Sequence, residues 1–302
     1  MLLRAFNLAL NLAGCAILIL ATVRFHRSLW TIRRESYAAQ VLPRSPAAGL
    51  ALMYLFIIGF IVGFFDLLFR DVEPIYTFIL VIFFFGAIYI YASVHTHCVI
   101  VQSMRDRVFE VMCAFAGIVD EKKDSRLRNH SPQVRHTVAA FWTVLPEKVR
   151  AHLNYAKLLD AAILHDVGLI NIPDGLLSKK GPLDDDEWAL IRKHPALGRD
   201  LLENSHFREI GHWLFCHHER MDGAGYYQVP GEEIPLESKI IAVADTYTAL
   251  RENRAYREPL SHGEAQRILW EVAGTQLDAE LVAYFLRLEK DALDFSPDTL
   301  PA

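Results

Sequence analysis

Three long apolar runs crowd into the first 93 residues and constrain what the chain can become: about Ala5–Val23, Ala47–Phe69 and Ile75–Ser93. Each approaches or exceeds the ~18–20 residues that a helix needs to cross ~30 Å of hydrocarbon. Inside lipid a single segment satisfies its backbone only as a helix, so the pattern predicts three transmembrane helices over residues 1–93. A cleaved leader is the rival reading of the first run. Its apolar stretch is too long for one, and no small-residue cleavage site precedes the basic segment that follows. Arg24, Arg27, Arg33, Arg34 and Arg44 lie between the first two runs against a lone Glu35, while the next connection is short and mixed, with Arg70, Asp71 and Glu73. Positive charge stays on the cytoplasmic side. The expected topology is therefore a multi-pass protein of the inner membrane, with the N-terminus outside and the C-terminal half in the cytoplasm. The short outer connection leaves no room for a sensor domain, so a signal has to come through the spans, from membrane lipid or from a partner.

Beyond the third run, residues 94–118 carry apolar side chains at Val94, Val101, Met104, Val108, Val111, Phe115 and Ile118, with His97 as the weak member. Steps that alternate three and four form the a/d seam of a paired helix. Two arrangements fit: a parallel homodimer helix that carries a signal from membrane to C-terminal domain, or a helix lying with that stripe on its own domain.

Residues 119–290 hold ten of the 13 histidines, several beside acids: His130, His165-Asp166, His194, His217-His218-Glu219 and Asp245. Imidazole and carboxylate together suit first-row transition metals, and a carboxylate between two such ions suits metal-assisted phosphoester hydrolysis. The net charge of −5 gives no general attraction for DNA. Cys15, Cys98, Cys113 and Cys216 contain no C-x-x-C pair, which excludes a disulfide framework or a cysteine zinc site. Helical periodicity dominates. LNYAKLLDAAILHD places Leu153, Ala156, Leu159, Ala162 and Ile163 on one face and ends on His165-Asp166. PLDDDEWALIRKH opens with Pro182 and an acidic first turn, and IPLESKIIAVADTYTAL leads into Asp245. The expected class is all-α, with ligands held on several facing helices.

Four segments carry a resemblance. HDVGLINIPDGLL at 165–177 resembles the H-D-x-G-K-I-x-I-P motif of the HD-GYP family, and HHERMDGAGYY at 217–227 its H-H-E-x-x-D-G-x-G-Y-P motif. ADTYTALRENRAYREPLS at 244–261 is similar to the family's D-x-Y-D-A-L-x-S-x-R-P-Y-R, and GTQLDAELVAYFLRL at 274–288 to its closing helix. The resemblance covers about residues 108–290 and keeps motif order and spacing; residues 291–302 form a tail. It implies a metal-dependent phosphodiesterase acting on cyclic di-GMP or a related cyclic dinucleotide, with pGpG or GMP as product. It also implies ligand roles. His130, His165, Asp166 and Asp245 hold one metal, and Asp166 bridges to a second held by His194, His217 and His218. His165 and Asp166 form the catalytic pair. Some members place a glutamate four residues before the first histidine for a third metal; here that residue is Arg126, so two ions are expected, as iron, manganese, nickel or zinc. Arg254 and Arg257 match positions that contact substrate phosphates, and Asp222, Gly223, Gly225 and Tyr226 match the substrate-side loop.

Three positions depart from the pattern: Leu169 stands for the motif lysine, Tyr227 for the proline of G-Y-P, and Thr248 for an aspartate. A lysine at 169 would put a cation near the phosphate; leucine puts none there. Two readings follow: a working phosphodiesterase, or a weakened domain that serves as a cyclic-dinucleotide receptor or protein-interaction module. A broader phosphate-ester substrate is a third. Restoring lysine at 169 is expected to raise turnover and leave metal content unchanged; the competing outcome is a destabilising buried charge.

Overall fold

A computed structural model describes residues 2–34, 46–69, 74–123, 129–179, 181–205, 207–253 and 258–296. Among these the chain is helical and contains no β-strand, only an isolated bridge between Ala273 and Leu277. It divides into two compact units, Met1–Arg105 and Asp106–Ala302.

The first unit contains α1 (Leu2–Arg34), α2 (Pro46–Phe69) and the start of α3 (Pro74–Lys123). Each of the three helices gives one buried side chain to a small core, Leu18, Phe60 and Ala87. Phe83 packs against it, with its ring edge-on to Phe60 at 5.9 Å. Asn7 is buried within this unit and donates to the Thr77 hydroxyl at 2.9 Å. The outer faces are also apolar: Leu20, Leu55, Phe78 and Phe85 are all exposed. Two segments, Arg4–Arg27 and Thr77–Lys122, are long and apolar enough to cross a membrane, and the apolar stretch of α2, Met53–Asp66, is shorter. Helix α1 runs on to Arg34, so most of the basic segment begins on a helix end rather than in a loop. Cations at a helix C-terminus complement its dipole.

Helix α3 is continuous for 50 residues. The absence of Pro and Gly between Gly86 and Gly117 leaves nothing to break it. Its second half has two apolar faces. Phe109, Met112, Cys113 and Ala116 pack on the helical core of the second unit. The a/d seam points elsewhere: Met104, Val108, Val111, Phe115 and Ile118 are exposed, Val111 at 68%. The helix therefore lies on its own domain, but not by the seam.

The second unit is a helical bundle of α4 (His130–Val144), α5 (Tyr155–Leu164), α6 (Asp185–Ile191), α7 (His194–Leu202), α8 (Arg208–Phe215), α9 (Leu236–Arg251), α10 (His262–Glu271) and α11 (Ala279–Phe285). Helix α5 lies at its centre. Leu158, Leu159, Ala161, Ala162, Ile163 and Leu164 are all buried, more of the circumference than the one-face pattern predicts. Helices α4, α8 and α9 pack around it. Phe141 and Phe285 meet edge to face at 5.0 Å in the core, an arrangement that adds about 0.5–1.5 kcal/mol to plain burial. The helix starts are specified locally. Asp184 caps α6 in a capping box with Glu187, so that helix begins just after Pro182 and Leu183 rather than on them. Ser261 with Glu264 does the same for α10.

Candidate metal centre

Helix α5 ends where the chemistry begins. His165 is its C-terminal cap, and Asp166 leads into a 3₁₀ turn over Val167–Asn171. That turn packs against α7 through Gly168. A Cβ there would lie 2.0 Å from the His194 carbonyl oxygen and 2.5 Å from the Gly198 nitrogen. Only glycine permits that approach, and the approach brings Asp166 to His194.

Two groups of possible metal ligands result, and Asp166 belongs to both. Asp166, His194, His217 and His218 form one, and His130, His165 and Asp166 the other, with donor atoms in each group within 4.8 Å of one another. Asp166 Oδ1 is 3.2 Å from His194 Nε2 and 3.8 Å from His217 Nε2, while Oδ2 is 3.4 Å from His165 Nε2. Asp245 joins the second group, with Oδ1 3.1 Å from His130 Nε2 and 3.9 Å from His165 Nε2. His130, His165, Asp166, His194 and His217 are buried.

The backbone fixes the protonation of these rings. His165, His194 and His217 each direct Nδ1 at the carbonyl oxygen three residues earlier, Ala162, Ile191 and Leu214, at 2.9, 2.8 and 2.5 Å. A carbonyl oxygen has no proton to give, so Nδ1 donates, and the neutral ring presents an Nε2 lone pair. His194 Nε2 and His217 Nε2 then face each other at 3.5 Å. His165 Nε2 is buried and makes no hydrogen bond. Converging lone pairs and carboxylate oxygens repel one another unless a cation lies among them. The donor set, imidazole with carboxylate, is the one that divalent transition metals take.

Electrostatics follow the same logic. Burial, then the neighbouring His217 and His194, hold the pKa of His218 well below the ordinary histidine value. Burial opposes charge on Asp245, but the His130 hydrogen bond and the charges of His130, His165 and His218 outweigh it and keep the carboxylate far below its usual range. Burial also opposes charge on His165, where Asp166 and Asp245 win and raise its pKa. Asp245 is thus held ionised and His218 neutral, while the acids around His165 favour a proton on that ring in the absence of a cation.

A cleft of about 400 Å³ opens onto these ligands, lined among others by His217, His218, Asp245, Arg192, Arg220 and Tyr226. That volume lies in the ~300–1,000 Å³ range of small-molecule sites. The Tyr226 ring lies 4.7 Å from the His218 ring, and the Arg192 guanidinium is 5.7 Å from the Tyr226 centroid. Gly225 lines the cleft as well. A Cβ on it would come within 2.6 Å of the Glu219 Cα, so the loop closes tightly on the helix end. Asp222 and Gly223 form the turn beside this wall; Asp222 accepts from Arg220 at 3.0 and 2.6 Å and from the Ala224 N–H at 3.0 Å. Arg254, Arg257 and Arg126 lie outside the described residues.

The departures from the motif have physical counterparts. Tyr227 donates its backbone N–H to Glu219 at 2.8 Å, which proline cannot do, and its hydroxyl to the Arg192 carbonyl at 2.9 Å. Glu219 also takes the Val229 N–H at 2.9 Å. Leu169 is 2% exposed in an apolar cluster with Val119 and Ile172. A lysine head there would be buried among aliphatic groups, so the geometry favours the destabilising outcome of that substitution. Thr248 is buried, with its hydroxyl 3.2 Å from that of Thr137. Sequence reasoning missed three contributors: Arg192 on the cleft wall, Glu219 as loop anchor, and Glu252, which accepts from His130 Nδ1 at 2.8 Å. Only Glu219 had a local signal, its place beside two histidines.

Residues 121–281 match the HD domain family. The chain is similar to a probable cyclic di-GMP phosphodiesterase of Vibrio cholerae, 32% identical over 63% of this chain and 47% of the relative. It resembles a cyclic di-GMP phosphodiesterase of Thermotoga maritima at 33% identity over 63% of this chain and 51% of the relative. A 3'3'-cGAMP-specific phosphodiesterase of Vibrio cholerae is 34% identical over 62% of this chain and 40% of the relative. The chain spans about half or less of the length of these curated relatives. A solved HDG"Y"P protein from Bdellovibrio bacteriovorus aligns with 52% of this chain and 50% of its own at 19% identity, with a TM-score of 0.41.

Because Asp166 is common to both ligand groups, Asp166→Ala is expected to lower bound metal at both positions, whereas His218→Ala lowers one. Elemental analysis after reconstitution with Mn²⁺ or Zn²⁺ reads this directly, and an Asp166→Ala chain that keeps its full metal content rules out the shared carboxylate. The HD domain match over more than half of the chain, together with the motifs at 165–177 and 217–227, makes the protein a member of the HD domain family, in its HD-GYP branch.

Proposed function

We propose that the chain is a membrane-anchored phosphodiesterase that opens a cyclic dinucleotide, cyclic di-GMP foremost, to pGpG and GMP. The observation that carries this reading is Asp166 shared by two ligand groups, whose members His217 and His218, with Asp245 beside them, line an open cleft. Two divalent transition-metal ions, one held by His130, His165, Asp166 and Asp245 and the other by Asp166, His194, His217 and His218, would supply Lewis acidity and a more acidic water. Hydrolysis adds water across one P–O3′ bond, leaving a 5′-phosphate on the linear product. The chain's own part is to hold and exclude. The backbone carbonyls keep each Nε2 aimed inward, and burial keeps bulk water from the acid–imidazole cluster. Arg192, with Arg254 and Arg257, supplies guanidinium groups for the phosphates, a task their planar forks suit. Tyr226 offers a ring face beside His218 on which a base can stack. The names of the relatives, phosphodiesterases of cyclic di-GMP and of 3'3'-cGAMP, support the substrate class.

The receptor reading retains one favourable observation: Leu169 is packed in an apolar cluster and brings no cation to the phosphate. Turnover separates the two. The purified, metal-loaded chain is expected to hydrolyse cyclic di-GMP and to lose activity in Asp166→Ala. Leu169→Lys is expected to lower the melting temperature without raising turnover. A metal-replete wild type that binds cyclic di-GMP and releases no linear product would establish the receptor instead.

The apolar outer faces of the first unit support lipid around it, since a helix apolar all round needs an apolar surrounding. Three spans, with the arginines before residue 45 inside, put the C-terminal unit in the cytoplasm of a cell whose inner membrane holds the rest. A reporter fused after Ala302 should behave as cytoplasmic and one in the 71–74 connection as external. An external C-terminus would overturn the span count.

Val94 is buried, but Met104, Val108, Val111, Phe115 and Ile118 of the a/d seam on α3 are exposed, and this part supports a homodimer through the 94–118 helix, because paired a/d stripes are self-complementary. Val111→Asp alters an exposed position, so it should spare the fold and reduce the dimer fraction measured by light scattering in detergent. A wild type that is monomeric under the same conditions removes this part of the proposal.

A further inference from the structure

Four of the five imidazoles of the metal centre, all but His218, have Nδ1 occupied and Nε2 facing inward. His165, His194 and His217 do this with the carbonyl three residues earlier, each at the end of a helical segment. His130, the first residue of α4, takes a different partner. Its Nδ1 meets Glu252 instead, at 2.8 Å, just past the end of α9. Glu252 is only 8% exposed, and its backbone is extended at φ −87°, ψ 150°, which turns the chain out of the helix there. Asp245, two helical turns earlier on α9, reaches the other nitrogen of the same ring at 3.1 Å. One imidazole is thus held between two carboxylates from one helix and its cap.

A neutral ring has a single N–H. If Nδ1 donates to Glu252, Nε2 faces Asp245 Oδ1 as a lone pair facing an anion. With a neutral ring that contact is favourable only when a cation lies between them; without one the ring has to carry a proton on each nitrogen. We propose that Glu252 is the positioning residue of the first metal ligand: it fixes the His130 tautomer, sets the ring plane, and through its charge makes Nε2 a stronger donor. Carboxylate–histidine pairs of this kind tune metal affinity by about 10–100-fold. The motif quoted above has serine at this position and an aspartate where Thr248 stands, so the chain carries a carboxylate one helical turn further along α9. This inference rests on the metal centre and not on the identity of the substrate.

The test uses the full chain in detergent, stripped of metal and titrated with Mn²⁺ alone, then Zn²⁺ alone. Glu252→Ala should weaken binding at one of the two positions by about 10–100-fold and leave the other nearly unchanged. Glu252→Gln, isosteric and still a hydrogen-bond acceptor, should fall between Ala and wild type, and Glu252→Asp should recover part of the loss. The melting temperature of the metal-free chain is measured beside each variant. A Glu252→Ala chain that binds both metals within twofold of wild type overturns the proposal. So does a loss equal in Ala, Gln and Asp that tracks a drop in the metal-free melting temperature, since that marks a packing role. A wild type that takes up metal with the expected Glu252 dependence but hydrolyses no cyclic dinucleotide sinks the phosphodiesterase reading and leaves this one standing. A wild type that takes up neither metal overturns both.

Discussion

The C-terminal unit depends on one carboxylate. Asp166 faces three imidazole nitrogens with its two oxygens, all within 3.8 Å. Bringing such groups together in a buried place is costly, because each loses water and because lone pairs oppose one another. The surrounding elements exist to hold that arrangement. Helix α5 delivers Asp166 from the centre of the bundle, Gly168 lets α7 approach to backbone contact, and three backbone carbonyls orient three rings. The backbone does so at helix ends, where carbonyls without an intrahelical partner are available.

The substrate side is organised by different forces. Glu219 accepts two backbone N–H groups of the loop that follows, and Arg220 and Asp222 neutralise each other beside it. Such a loop needs little apolar burial, because charge-assisted hydrogen bonds to backbone define it. Tyr227 belongs to this network through its N–H and its hydroxyl, and its ring lies 4.4 Å from that of Phe215. The loss of a stiff proline is offset by three contacts that proline cannot make.

Much of this was legible in the sequence, and the limits have physical causes. The helical class was legible, and the resemblance named the histidines that the fold gathers around Asp166, since ligand chemistry restricts residue type strongly at each position. Helix α5 was legible too, but its burial on nearly all sides was not: a one-face pattern and a central helix differ in packing partners, which periodicity does not encode. The start of α6 moved past Pro182 because Asp184 and Glu187 make the stronger local stop signal. Glu252 was invisible, since an acid near a helix end most often faces water; only the fold brings it to a histidine 122 positions away. Arg192 was hidden for the same reason. The spacing of the α3 seam was readable, but not which of its two apolar faces would turn inward.

The inward face of α3 meets the chemistry directly. The final turns of α3 reach both halves of the metal centre. Asp120, fully buried, accepts from the Ser131 N–H at 2.9 Å and from its hydroxyl at 3.0 Å, one residue from His130. Lys122 donates to the Ile170 and Ile172 carbonyls at 2.9 and 3.3 Å, and Val119 packs with Leu169, all on the segment that begins at Asp166. Leucine at 169 therefore has a physical use in the place of a cation: it fastens the Asp166 segment to α3 through apolar contact. Close-packed interfaces transmit displacement rather than absorb it. Asp120–Ser131 and Lys122–Ile170 thus tie α3 both to the start of α4, where His130 lies, and to the segment that begins at Asp166.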